Sequence, residues 1–357
     1  MKPRVVAMGD PQAPIEAVKA VLATNRVLDG DRVARATRLV SMGDHFDWGP
    51  RDRRAEASVS GVAFLRWLAS HDPNEAVILA GNHDLARVGE LSSFVDDDDF
   101  AAAQALADRA YFGGDAAAEE ELLRRWPLVP TAELLARDLS TYRAEQQTLV
   151  LELLQSRRMR LAWSEGDVLF THAGVTEHTL HTLGLPADAS AGDIACALNA
   201  ALDAAVQASC ADDGSLLQAL SIPGLHTPGT RGQEGDGILY HRPQHVSATT
   251  PLLRRRYDAR HLPQGLIQAI GHIRDKKCRQ LLGPLCDANN ERAGVLRHLR
   301  VEGADPRCAS YAHGLPSTWE RGSGWIVFVD GDMLHCPTPD YQILDLRRDL
   351  AQLFDAP

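Results

Sequence analysis

Apolar residues recur along this chain in two rhythms. Short, mostly apolar runs stand at residues 5–8, 39–42, 76–80, 167–170, 265–270 and 325–329, each followed at once by glycine or a polar residue. Runs of this length, rich in β-branched and aromatic side chains, read as buried strands. Between them the spacing is helical. Ile15, Val18, Val21 and Leu22 predict a helix over 14–27, and Val59, Val62, Ala63, Leu65 and Leu68 predict another over 55–69. Strand, helix, strand, helix, strand in that order implies an α/β fold with at least one largely parallel sheet.

The texture then changes. Residues from about 85 to about 165 are rich in Ala, Leu, Glu and Arg and show no strand rhythm, so they read as a helical insertion. A second Ala-rich helical stretch covers about 190–220. The four acids Asp96, Asp97, Asp98 and Asp99 lack the alternating oxygen ligands and glycine of a calcium loop and read as a solvated loop or a helix start. Residues 223–237 are rich in Gly and Pro and read as a loop over a site or a mobile edge, while 341–354 closes the fold as strand or helix. Without an internal repeat or a linker-like segment, residues 1–357 read as one domain carrying two insertions.

Composition narrows the class. With 45% hydrophobic and 24% charged residues, the chain has the make-up of a soluble globular protein. A net charge of −11 disfavours nucleic acid and anionic membrane as partners, yet admits a small anionic substrate beside a bound dication. The six cysteines form no C-x-x-C pair, which argues against a zinc ribbon and for reduced thiols. No secretory h-region precedes the first strand, and no apolar stretch approaches the ~18 residues of a membrane span, so the expected location is the cytoplasm.

The chemistry stands just past the strand ends. Asp10 and Gln12 follow the first run. Gly43-Asp44-His45-Phe46-Asp47 follows the second and Gly81-Asn82-His83-Asp84 the third; His172 and Gly271-His272 follow two later ones. In α/β sheets, ligand sites form at the carboxyl ends of strands. Any one of these residues alone would read as a loop cap or a core histidine; five strand ends in series do not. Mixed imidazole and oxygen ligands suit Mn, Fe or Zn better than calcium. A two-metal site places its ions ~3.5–4 Å apart and needs a bridging carboxylate. Asp44 is the natural bridge, with Asp10 and Gln12 on one ion and Asn82, His172 and His272 on the other.

This order of motifs resembles the calcineurin-like metallophosphoesterases. More narrowly it is similar to the phosphoprotein phosphatase branch, which includes the Shewanella-like phosphatases and the symmetrical diadenosine tetraphosphatases. The narrower likeness rests on three features. Gly271-His272 continues as Ile273-Arg274 rather than as Gly-His-x-His. Asn82-His83-Asp84-Leu85 runs into Val88-Gly89-Glu90-Leu91. Residues 237–242 look like an aromatic–Arg segment. The likeness spans residues 9–272 and is weak in the insertions.

The resemblance implies a four-layer αββα sandwich holding two metal ions, with Mn2+ expected first and Fe or Zn as alternatives. A metal-bridging hydroxide would attack phosphorus, and His83, oriented by Asp47, would protonate the leaving oxygen. The expected substrate is a phosphomonoester of a protein or small metabolite. A dinucleoside polyphosphate or phosphodiester is the alternative, and a low-turnover phosphatase-fold binding protein is a reading of another class. Three positions depart from the family. Gln12 replaces a histidine ligand, Asp84 replaces the Glu of eukaryotic members, and Trp48 replaces a phosphate-binding arginine. Arg242, Arg231 and Arg51 are candidates to supply that charge, and Trp48 offers a face for a base to stack on. Asp330 reads as a turn or cap and Arg254-Arg255-Arg256 as a solvated face. His178, His181, His241 and His313 read as exposed.

Overall fold

The computed structural model describes residues 3–286, 290–303 and 307–350, a mixed α/β protein built on two large sheets. The first sheet takes β1 (Arg4–Met8), β2 (Thr37–Ser41), β3 (Ala76–Leu79) and β4 (Met159–Arg160). The second takes β5 (Ala162–Glu165), β6 (Val168–Thr171), β7 (Ile267–Ile270), β8 (Arg297–Glu302), β9 (Cys308–His313) and β10 (Gly324–Phe328). A last strand, β11 (Leu344–Asp345), returns to the first sheet. Strand order is β11-β1-β2-β3-β4 in one and β9-β8-β10-β7-β6-β5 in the other. The strands β1 to β4 run parallel, as do β6, β7 and β10, so four strand ends in the first sheet and three in the second each point one way.

Alternation along the central strands decides what packs where. Val5, Ala7, Val40, Val77 and Leu79 share one core cluster with Val168, Phe170, Ala269, Trp325 and Val327, so the two sheets face each other across it. Val6, Met8, Leu39 and Ile78 point the other way, into a cluster with α1 (Ile15–Thr24), α2 (Arg54–Ala69), α6 (Ala144–Gln155) and α8 (Ala191–Ser209). On the far face of the second sheet, Ile270, Ile326 and Phe328 pack against Cys278 and Leu282 of α9 (Asp275–Leu282). Strands buried on both faces are what the mostly apolar runs encode.

The insertion after β3 opens with the short α3 (Asn82–Ala86), then carries α4 (Asp97–Gly113), α5 (Ala116–Arg125) and a π-helical turn over Leu134–Asp138 before α6. It has a core of its own around Phe94, Phe100, Trp126 and Tyr142. The acidic run starts a helix. The Asp96 side chain accepts the Asp99 N–H at 2.8 Å, and Asp97, Asp98 and Asp99 fill the first turn, where the helix dipole favours negative charge. The expected stretch without strands ends early, because residues 159–165 form β4 and β5. Arg160, Ser164 and Glu165 broke their apolar pattern. β8 opens on adjacent Arg297 and His298 and carries Arg300 and Glu302, and β9 mixes Ser310 and His313 with small residues, so neither gave a buried-strand signal. The closing stretch is a strand followed by α10 (Leu346–Asp349), and residues 351–354 lie outside those described. All six cysteines are free, and among the described residues no helix is long and apolar enough to cross a membrane.

Candidate metal centre

Six strand ends converge on one point. Asp10 follows β1, Asp44 follows β2 and Asn82 follows β3. From the facing sheet His172 follows β6, His272 follows β7 and Asp330 follows β10. Two hydrogen bonds join the rows. The His272 backbone N–H donates to the Asp10 carboxylate at 3.0 Å, and His172 Nδ1 donates to the Met42 carbonyl at 2.8 Å. The second bond places a proton on Nδ1, so that in the neutral ring it is Nε2 that carries the lone pair.

That lone pair faces other acceptors. His172 Nε2 lies 3.1 Å from Asn82 Oδ1 and 3.5 Å from Asp44 Oδ1. His272 Nε2 is buried with no hydrogen-bond partner among the described residues, and Asp44, His172 and His272 each bring a ligand atom within 4.8 Å of the others. Burial, reinforced by the Arg242 charge, holds the His272 imidazole well below its usual pKa and therefore neutral. Buried acceptors crowded without a proton between them repel unless a cation sits among them. Asp44, Asn82, His172 and His272 therefore fit a metal ion on their own chemistry.

The backbone is bent to bring them in. Asp44, Asp47 and His272 all adopt left-handed φ, at 56°, 62° and 64°, a conformation that costs a non-glycine residue on the order of 1 kcal/mol. Gly81 and Gly271 leave room for this. A Cβ at Gly81 would collide with Asp44 Oδ1, and one at Gly271 with Asp10 Oδ1. Asp84 ties the two central loops together. Its fully buried carboxylate accepts the backbone N–H of Asp44 at 2.9 Å, His45 at 3.1 Å and Gly81 at 2.8 Å, and meets His45 Nδ1 at 3.0 Å.

His83 stands beside this cluster. Its Nδ1 lies 2.9 Å from Asp47, and its Nε2 turns toward Asp44 at 3.7 Å. Asp47 is saturated with donors. Arg87 reaches it at 2.7 Å, the Thr141 N–H at 2.9 Å and the Thr141 hydroxyl at 2.7 Å. Burial opposes the Asp47 charge, but Arg87 and His83 outweigh it and hold the carboxyl far below its usual range. Burial likewise opposes the His83 charge, yet Asp44 and Asp47 prevail and raise the imidazole to about 9.

The centre floors a cavity of about 980 Å³ whose opposite wall is basic. Arg242, Arg255, Arg256 and Lys277 line it; Arg242 and Arg256 face each other across a short parallel strand pair, Arg242–Gln244 with Arg256–Asp258, and Lys277 comes from α9. Burial and then the neighbouring Arg256 and Arg255 lower Arg242 to about 10. Its Nε is buried without a partner among the described residues, and so are those of Arg255 and Arg256. Glu234 pairs with Arg255, which leaves this wall short of negative charge. A cavity with acceptors on its floor and partnerless guanidinium Nε atoms above suits a cation bound below an anion.

Most of the expected set is gathered here: Asp10, Gln12, Asp44, Asp47, Asn82, His83, Arg242 and His272 line the cavity, and His172 lies buried directly beneath. Several placements differ from expectation, among them Arg255 and Arg256, which line the cavity rather than forming a solvated face. Arg231 is exposed and outside the cavity, because the Thr230–Gln233 turn, pinned by Gly232 N–H to the Pro130 carbonyl, directs it to solvent. Arg51 also lies elsewhere, paired with Asp108 at 2.9 Å. Trp48 reaches the cavity rim but is only 4% exposed, and the Arg53 guanidinium sits 4.9 Å from its ring centroid, so no open face remains for a base. Asp330 is both a turn residue, accepting the Asp332 N–H at 3.0 Å, and part of the floor. His178 and His181 are exposed as expected. His241 is half-buried, and His313 bonds Asp275 at 2.9 Å.

Arg87, Thr141, His45, Arg256 and Lys277 were not read from sequence as site residues. Arg87 alone left a trace, one helical turn beyond His83 and so on the same face. No protein-family model matches the chain, and no curated protein matches it.

Proposed function

We propose that this protein is a metal-dependent phosphoric ester hydrolase with the αββα sandwich and centre of the calcineurin-like metallophosphoesterases. The observation that carries the reading is His83, set between a donor-saturated Asp47 and the acceptor cluster, under Arg242, whose buried Nε has no partner among the described residues. A binding module has no use for a carboxylate-held imidazole aimed at its ligand. The facing sheets and flanking helices support the four-layer reading.

Asp44, Asn82, His172 and His272 would hold the metal, with Mn2+ first and Fe or Zn as alternatives. Bound there, a dication lowers the pKa of water and neutralises charge on a phosphoryl group. The remaining steps belong to the chain. Arg242 draws the phosphoryl oxygens across the cavity and orients them. His83, protonated and held by Asp47, donates from Nε2 to the leaving oxygen. Arg87 and Thr141 keep Asp47 ionised and fixed, so His83 retains both proton and aim.

The substrate is a phosphorylated compound: a phosphoprotein, nucleotide or small metabolite. One observation favours the second reading, a pyrophosphate-type or dinucleoside polyphosphate substrate: the further cations Arg255, Arg256 and Lys277 could meet a second phosphate. The test is phosphate release by Mn2+-loaded protein from p-nitrophenyl phosphate, a phosphopeptide, diadenosine tetraphosphate and a cyclic nucleotide. Turnover of any of them supports the hydrolase reading, and their ranking separates the two substrate classes. Full metal occupancy with no turnover of any ester would instead mark a binding protein.

A further inference from the structure

The two halves of the centre are not equivalent. On one side, lone pairs are free: His272 Nε2 has no partner among the described residues, and His172 Nε2 looks onto Asn82 and Asp44. On the other side, the oxygen expected to bind a second ion is already occupied. Arg274 Nη2 donates to Gln12 Oε1 at 3.2 Å, and the Gln12 amide nitrogen donates to the Phe46 carbonyl at 3.2 Å. Both ends of the Gln12 side chain are thus bonded, which locks the amide with its oxygen toward the guanidinium.

Arg274 is itself well held. Its Nη1 pairs with Asp332 at 3.2 Å, and Asp330 and Asp10 are its other electrostatic neighbours. Both Asp10 oxygens accept the His272 backbone N–H at 3.0 Å. Placing a dication on Gln12 Oε1 would set it within a few ångströms of a fixed guanidinium, where repulsion in a partly buried site is strong. Arginine does not lose its proton to relieve this. An amide oxygen is also a weaker ligand than the imidazole it replaces.

We infer that this centre binds a single divalent cation at Asp44, Asn82, His172 and His272, and that the Arg274 guanidinium takes the place of the second ion beside Asp10 and Gln12. The inference rests on the hydrolase reading above for the site's purpose, but not for its geometry. Arg274 then supplies a permanent positive charge on the Asp10 side. Gln12 is the residue that suits it, since a neutral amide can accept a guanidinium N–H while donating to Phe46.

The test is a count of Mn2+ by equilibrium dialysis of the full chain, joined to the electron paramagnetic resonance spectrum at saturation. The wild type should hold one ion per chain and give the six-line signal of isolated Mn2+. The double variant Gln12→His with Arg274→Ala should gain a second ion and show spin coupling; Arg274→Ala alone should gain one more weakly. Two tightly held, coupled ions in the wild type would overturn the inference and leave the hydrolase reading intact. One ion in the wild type and still one in a folded double variant would overturn the role given to Arg274. No bound ion in the wild type would overturn the hydrolase reading itself.

Discussion

The floor and the wall of the cavity are built by opposite means. The floor is rigid: Asp10, Asp44, Asn82, His172 and His272 each leave a buried parallel strand, and backbone N–H groups, Asp84 and close-set glycines fix them. The wall is made of two short paired strands, Arg242–Gln244 and Arg256–Asp258, with a loop and one helix, and the buried Nε atoms of Arg242, Arg255 and Arg256 lack partners among the described residues. On the proposed hydrolase reading, the rigid, acceptor-rich floor would set which ion binds and which bond is attacked. The under-neutralised wall would set which anion is admitted. Chemistry and selectivity would thus fall to separate parts of the chain.

The sharpest break of this division is at the floor. Asp44→Asn should release the metal and drop phosphate release to background, because the carboxylate at the centre of the acceptor cluster loses its charge. Metal analysis and turnover on the same sample check it. His83→Ala should retain metal yet slow turnover by ~10²–10⁴-fold, the usual range for a lost general acid. Loss of metal in that variant would place His83 among the ligands instead.

The wall should respond differently. Arg242→Ala should keep metal and raise KM about 10- to 100-fold, the range of a lost charge-assisted hydrogen bond. Titration of stability with pH reads how the wall is anchored. His226 is buried beneath it, stacked 5.9 Å from Tyr240, and burial lowers its pKa to about 4. Unfolded chains take up that proton near pH 6.5 while the folded state refuses it, so stability falls as pH drops from about 6.5 toward about 4. From about pH 7 to about pH 5 this one group should cost about 2 kcal/mol by urea denaturation, and His226→Phe should remove that share of the pH dependence. Arg231→Ala, on the exposed outer side of the same loop, should leave turnover unchanged and stability within about 0.5 kcal/mol.

The same division explains what was legible in the sequence. Asp10, Asp44, Asn82, His172 and His272 announced themselves because a buried strand is a strong local signal and each follows one directly. The wall gave no comparable cue. Arg231 and Arg256 stand in similarly polar sequence, and only the path of the chain turns one outward at a turn and sets the other over the site on a short strand. Long-range partners were equally hidden: Thr141 reaches Asp47 across 94 positions, and Arg274 reaches Gln12 across 262. Trp48 was read as a stacking face from its type, but Arg53 had already covered it. In the fold, β8 escaped notice because Arg297, a buried guanidinium spanning the Ile273 and Asp330 carbonyls, occupies a position that strand patterns reserve for apolar residues, and β9 because only Tyr311 of its six residues is buried.

The most direct test of the central claim is phosphate release from an ester by the wild type and by Asp44→Asn, each equilibrated with Mn2+, with bound metal counted in the same samples. The account predicts metal and turnover together in the wild type and neither in the variant. A wild type that holds metal but cleaves no phosphate ester, or a variant that cleaves at the wild-type rate, would contradict it.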